Sequence, residues 1–331
     1  MVSSRGVARL VVVLGGALLF AVVGVALFYV IPETTADVLG LLLALALVAI
    51  GVRIASNVAG SLWPEYDVAE VAVEGPITRR GGGGPLPSSP RGTPADDVAE
   101  QIDRANEDGN AQALLVKLNT PGGEVVPSDD IKLAVERFEG PTVAYATDLC
   151  ASGGYWIASG CDELWARDAS IVGSIGVIGS RVNASELAEK VGLSYEGLTA
   201  GEYKDAGMPL KEMSEDERAY LQGLIDDYYD TFVERVSEGR DLDPDDVRKT
   251  EARVYLGSEA HSLGLVDEIG TREDVEAAIA DRLDVDEVRV REFEPPRPFP
   301  QRIAASAERI AYAFGAGVTG VLGDREFRLR T

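Results

Sequence analysis

Histidine occurs once in the 331 residues, at His261, and lysine only at 117, 132, 190, 204, 211 and 249. A reaction that takes a proton from a hydroxyl therefore has few candidate bases. Cysteine is nearly as scarce: Cys150 and Cys161 make no disulfide framework and have no zinc-ligand spacing, so both read as buried thiols. Aromatic residues are 7% of the chain against 46% for all hydrophobic types, so the core must be built mainly from Val, Leu, Ile and Ala. Positive charge is also short, with 31 basic residues facing 55 acidic ones for a net charge of −24. That balance argues against nucleic acid as a partner, because phosphate binding needs basic patches. Acid excess with so little lysine suits concentrated salt, where self-repulsion is screened, and predicts a halophilic source.

Long apolar runs, by contrast, are present at the N-terminus. "VARLVVVLGGALLFAVVGVALFYVI" (7–31) exceeds the about 20 residues that a bilayer crossing takes. After "PETTAD" a second run, "VLGLLLALALVAIGV" (38–52), is short for a full span and is closed by Arg53. If both runs cross, Arg5, Arg9 and Arg53 share one side, and the positive-inside rule puts the bulk of the chain in the cytoplasm. If only the first crosses, the bulk lies outside. The hairpin is the favoured expectation. The domain scheme that follows is a membrane anchor at 1–55, a linker at 56–66, a main domain at 67–285, and a C-terminal stretch at 286–331. That last stretch carries a strand and a mildly amphipathic segment, 301–323, which suits a membrane surface, a docking helix or a tail.

Within the main domain "VAEVAVEGPI" alternates and ends at a Gly-Pro turn, which predicts a strand. "TRRGGGGPLPSSPRGTP" (78–94) is a loop. A helix is expected over 95–105, a buried strand over 111–119, a helix over 128–138, a strand over 142–148, and a helix beginning at or near Ser152. A long helix over 214–240 has a serine-type start. Strands alternating with helices imply an α/β fold with a largely parallel, covered sheet.

In such sheets ligand sites gather beyond the carboxyl ends of the strands. Two of these ends carry small-residue turns, "NTPGGEV" (119–125) and "ASGGYW" (151–156). Paired glycines allow a close backbone approach, and two such turns side by side could aim amide hydrogens at one point, as an oxyanion hole requires. Ser152, heading a helix beside them, is placed to attack a carbonyl. Each turn taken alone is better explained as a helix start with close strand–helix packing; the two together raise the functional reading to an equal footing. His261, in "GSEAHSLGLVDEIG", has the setting of a helix and turn rather than a base. Lys204, in "GEYKDAGMPL", could serve instead if burial lowered its pKa from about 10.4 to roughly 7–8.

The order of motifs "VEGPI", "NTPGGEV", "ASGGYWIASGCDELWA", "VGSIGVIG", "GEYKDAG" and "RVYLGSEAHSLGLVDEIG" resembles the serine–lysine signal peptide peptidases, from about residue 68 to 285. The resemblance implies a Clp protease/crotonase-like α/β fold, here preceded by one or two transmembrane helices. It implies Ser152 as nucleophile, Lys204 as general base, Ser174 as the serine that orients the lysine amine, and the Gly123 and Gly153 amides as the oxyanion hole. It further implies no metal or cofactor, a homo-oligomeric ring or dome that joins serine and lysine from neighbouring subunits, contact with membrane lipid, and cleaved signal peptides or other short, unfolded peptides as substrates. A related protease with specific membrane-protein targets, a crotonase-like acyl-CoA enzyme and an inactive scaffold are the competing readings. The second apolar run departs from the family's familiar single anchor with an external protease domain.

Overall fold

A computed structural model of the chain describes residues 4–25, 46–56, 59, 66–80 and 92–294. The strand expected from the alternating run forms as β1 (Val68–Glu74), but its first four residues are all buried. Both of its faces are covered, as in a parallel sheet packed by helices on each side. Even Glu70 is buried, and it is paired with Arg272.

After β1 come β2 (Ile77–Thr78), β3 (Thr93–Pro94), β4 (Ala113–Thr120), β5 (Thr142–Ala151), β6 (Glu163–Ala166), β7 (Ile171–Gly173), β8 (Val254–Leu256), β9 (Glu268–Ile269) and β10 (Val290–Glu292). The main sheet runs β10-β1-β4-β5-β6-β9 with every pairing parallel. The ten-residue β5 pairs with β6 along Val143–Ala146 and then with β7 along Leu149–Ala151, so the sheet branches at its carboxyl end. Among the described residues the one antiparallel pairing joins β7 to β8. β2 and β3 form a separate parallel pair.

Period-two packing of the strands divides the core in two. Leu114, Val116 and Leu118 of β4 join Val71 and Val73 under α3 (Ala95–Glu107) and α4 (Val125–Glu136). Ala113 and Leu115 instead join Val143 and Tyr145 under α10 (Arg272–Arg282). Each such fully buried leucine contributes on the order of 2 kcal/mol. The remaining helices are α5 (Gly153–Ala158), α6 (Ser185–Lys190), α7 (Glu215–Arg240), α8 (Pro244–Lys249) and α9 (Gly257–Ser262). Ser214 starts α7 with a capping box in which Ser214 and Glu217 satisfy each other's backbone amides.

At the N-terminus α1 (Ser4–Val25) lies against a helix at 46–56, α2. A Cβ on Gly16 would sit 2.5 Å from the Ala55 Cβ, and one on Gly51 would sit 2.2 Å from the Phe20 ring. Position 16 meets 55 while 20 meets 51, so the two helices run antiparallel. Among the described residues no helix is long and apolar enough to cross a membrane. The rest of the expected spans, 26–31 and 38–45, lies outside the described residues, as do most of the glycine-rich loop and the segment 301–331.

Candidate active site

β4 and β5 are adjacent and parallel, with Thr120 paired to Cys150, so the turns that follow them emerge side by side. Thr120 organises the first turn. Its hydroxyl donates to the Gly75 carbonyl and accepts from the Gly122 amide at 3.0 Å. Gly122, at φ +89°, then runs so close to the second turn that a Cβ there would fall 2.4 Å from the Gly153 nitrogen and 2.8 Å from the Ser152 Cβ. Gly123 is pinned to β2, because Ile77 donates to the Gly122 carbonyl and accepts from the Glu124 amide. A Cβ on Gly123 would overlap the Ile77 carbonyl oxygen at 1.9 Å.

Between those two bonds the Gly123 N–H is skipped. The Gly153 N–H heads the first turn of α5, where no intrahelical acceptor exists. Neither amide donates to any acceptor among the described residues. The two are neighbours: the position of a Cβ on Gly153 is 3.1 Å from the Gly123 nitrogen. Two unmatched donors beside a serine can stabilise negative charge on a carbonyl oxygen placed between them.

Ser152 adopts φ 52° and ψ −118°, a conformation that costs a non-glycine residue of order 1–3 kcal/mol. It occupies the N-cap position of α5, yet its side chain makes no capping hydrogen bond. Ser152 thus starts α5 through its backbone carbonyl, which accepts from the Trp156 amide, and its hydroxyl is not used as a cap. The backbone is held there by the Ser152 amide, which donates to the Gly173 carbonyl at 2.9 Å. Since Ala151 pairs with Gly173 across β5 and β7, Ser174 follows on the rung next to Ser152. Ser174 also has positive φ, 53°, and its amide donates to the Arg253 carbonyl.

The floor of this region is buried and polar in places. The Tyr155 hydroxyl donates to the Leu265 carbonyl at 2.8 Å, and Trp156 Nε1 donates to Asp129. The Arg240 side chain, at the end of α7, is 3% exposed and paired with Asp267, whose carboxylate also accepts from the Leu164 amide. Cys150 and Cys161 are free buried thiols, and burial pushes that of Cys161 up to about 12. The roles of Thr120, Tyr155 and Arg240 in supporting the site were not anticipated from the sequence. A small hydroxyl residue before "PGG" was a usable signal for Thr120, whereas Arg240 lies 88 positions beyond Ser152 with no local mark.

Lys204 is placed differently. It is exposed on the turn that starts at Gly201, where its amide donates to the Gly201 carbonyl at 3.2 Å. Its side chain makes no hydrogen bond with Ser152 or Ser174 among the described residues. α7 shows why. Phe232 stacks on Trp156 of the serine's helix at 4.7 Å, whereas Tyr220 stacks on Tyr203, next to Lys204, at 4.9 Å. The two contacts are 12 residues apart, about 18 Å along the helix. His261 is exposed on α9, and its Nδ1 is engaged by the Val266 carbonyl of its own turn. Among the described residues no group of three or more His, Cys, Asp or Glu is arranged to hold a metal ion.

The sequence profile of peptidase family S49 matches residues 136–286. A putative protease of Synechocystis sp. is 38% identical over 231 residues, which are 68% of this chain and 83% of that one. A putative protease of Methanocaldococcus jannaschii is 38% identical over 52% of this chain and 57% of its own. A putative signal peptide peptidase SppA of Enterococcus faecium is 35% identical over 53% of this chain. The chain spans about half the length of these last two relatives, 57% and 52%. Identity that runs through most of the Synechocystis protein, over a mostly parallel α/β sheet whose strand ends carry Ser152, shows that this chain belongs to peptidase family S49 and is a serine-type peptidase.

Proposed function

We propose that the protein is a membrane-anchored serine endopeptidase that degrades cleaved signal peptides and other short or unfolded peptides with a Ser152–Lys204 dyad completed between neighbouring copies. The observation that carries this reading is the pair of unmatched amides, Gly123 and Gly153, beside a strained serine whose hydroxyl caps nothing. A scissile carbonyl oxygen fits between those donors. Ser152 Oγ attacks the carbonyl carbon as its proton passes to the Lys204 amine, with Ser174 accepting from and orienting that amine. Collapse of the tetrahedral intermediate breaks the C–N bond, and Lys204 returns the proton to the leaving amine. Water then gives its proton to Lys204 and attacks the acyl-enzyme, and the acid product leaves as Ser152 regains its proton. The reading calls for no metal or cofactor.

A free amine at neutral pH needs burial, and Lys204 is exposed in its own chain. A second copy supplies the cover. Support comes from the stretch that precedes Lys204, residues 178–198, where Ile178, Val182, Leu187, Val191, Leu193 and Leu198 are all exposed. Such a concentration of uncovered apolar side chains on a highly charged protein favours association. Substrate has a docking edge of its own: from Ile175 to Asn183 the chain is neither helix nor strand, and its backbone groups pair with nothing among the described residues. An extended peptide can add there as a strand and run across the oxyanion site.

The antiparallel contact of α1 with α2 supports the hairpin anchor, in which the N-terminal end of α1 and the C-terminal end of α2 face the same way. By the positive-inside rule those ends, and the peptidase domain with them, face the cytoplasm. The net charge of −24 supports function in concentrated salt. The test is peptide hydrolysis by the full chain in detergent or vesicles at high salt, wild type against Ser152→Ala. Hydrolysis by the wild type alone is the expected result. Equal hydrolysis by both, with assembly unchanged, removes Ser152 from the mechanism.

A further inference from the structure

We infer that an ion triad, Asp205–Lys211–Glu217, is the positioning device for Lys204, setting the geometry of the general base without touching the substrate. The inference rests on the dyad reading above.

Lys204 sits between two residues tied to the first turns of α7, Tyr203 directly and Asp205 through Lys211. On one side the Tyr203 ring stacks on Tyr220, centroids 4.9 Å apart. On the other the Asp205 carboxylate meets Lys211 Nζ at 2.9 Å. Lys211 also donates to Glu217 Oε1, and the second oxygen of Glu217 accepts the Ser214 amide at 3.0 Å as part of the capping box of α7. The chain of contacts therefore runs from the backbone of Lys204, through its next neighbour, into a helix terminus. Fixing both flanking residues fixes the backbone between them and leaves Lys204 as the side chain free to reach outward.

Many ion pairs among the described residues are exposed on both partners, whereas here the side chains are 24%, 17% and 7% exposed for Lys211, Asp205 and Glu217, an arrangement shared with Arg272 between Glu70 and Glu276. Half-buried ion networks return little net stability, because desolvation offsets attraction, and their best-attested use is to fix one arrangement. A single cation binding two carboxylates from different segments is such a fixing device. One of only six lysines in an acidic chain is committed to it. A general base must meet its nucleophile to within a fraction of an ångström, and a misplacement of about 1 Å can cost 10²-fold in rate. The turn itself, from Gly201 to Gly207, contains no helix or strand that could supply such precision.

The experiment compares steady-state hydrolysis of one peptide by the assembled full chain for wild type, Lys211→Met, Lys211→Arg, Asp205→Asn and Lys204→Ala, with assembly state and thermal midpoint measured alongside. Expected for Lys211→Met is a kcat lower by roughly 10-fold or more, with KM within about 2-fold and the assembly intact. Lys211→Arg, which can hold both carboxylates, recovers most of the rate, and Asp205→Asn loses rate as Lys211→Met does. Should Lys211→Met fail to assemble, Asp205→Asn decides by the same readout. Wild-type kcat in both Lys211→Met and Asp205→Asn, while Lys204→Ala is inactive, overturns the inference and leaves the dyad standing. Activity in Lys204→Ala overturns the dyad reading and the inference with it.

Discussion

Around Ser152 the geometry is made by backbone and core; around Lys204 it is made by side chains at the surface. The serine turn is held by the Ser152 amide on Gly173, by Thr120 on Gly75 and Gly122, and by glycines packed too tightly for a Cβ. Beneath it Tyr155 and Ile157 are fully buried. The lysine turn is exposed and is held through a ring pair and one lysine shared by two acids. The difference teaches where each half of the chemistry is prepared. An oxyanion hole must be rigid before substrate arrives, and a folded core provides that within one chain. In the proposed reading Lys204, the base, is left at the surface, where association can both bury it and bring it to a serine.

Substitutions that strike the core half should have the largest effects. Gly123→Ala drives a methyl group into the Ile77 carbonyl, so it must displace β2 and the Gly123 amide together. The expected result is a kcat lower by about 10²-fold or more and a reduced thermal midpoint, read by hydrolysis and by calorimetry. An effect on kcat of less than a few-fold would mean that the Gly123 amide is not part of the hole.

The surface half should respond to solvent instead. With a net charge of −24, transfer from molar to about 0.1 M salt lengthens the screening distance to about 10 Å and strengthens repulsion between copies. Activity should fall with dissociation before the core unfolds, which sedimentation and circular dichroism can separate. Loss of assembly and fold at one salt concentration would erase the distinction between the two halves.

A smaller effect should appear on acidification. Lys211, followed by the Ser214 amide, holds the Glu217 carboxyl below its ordinary value. Because the folded pKa is the lower one, the stabilisation is present at neutral pH and is lost as pH falls through that depressed value. The first turn of α7 and the lysine turn should loosen there, and Glu217→Gln should flatten this part of the pH–stability curve. The smallest effect is expected of His261→Ala. It removes one part-buried hydrogen bond worth about 1 kcal/mol and should leave kcat near wild type. A large loss of activity would make the lone histidine part of the mechanism.

Much of the fold could be read from residue patterns because its determinants are local. The elements α3, β4, α4, β5 and α7 follow from apolar periodicity, and the capping box of α7 is visible as Ser214 with Glu217 three positions on. The strand β1 was legible from its alternation, and helices from distant parts of the chain cover both of its faces, as a covered sheet requires. The two glycine turns stood out as a candidate oxyanion hole, and strand pairing brings them together. The positive φ of Ser152 and Ser174 could not be read, since it is imposed by hydrogen bonds to Gly173 and Arg253 from other strands and loops. Lys204 gave no local sign of its surroundings, because its neighbours Tyr203 and Asp205 find their partners 17 and 6 positions downstream.

The central claim is that each active centre takes its serine from one copy and its lysine from another. The direct test is to co-assemble Ser152→Ala and Lys204→Ala, each inactive alone, and to measure peptide hydrolysis by the mixed assemblies. The account predicts that activity returns, since pairing of the two kinds of subunit restores intact centres. Verified mixed assemblies with no activity would contradict it and would require each chain to use its own lysine.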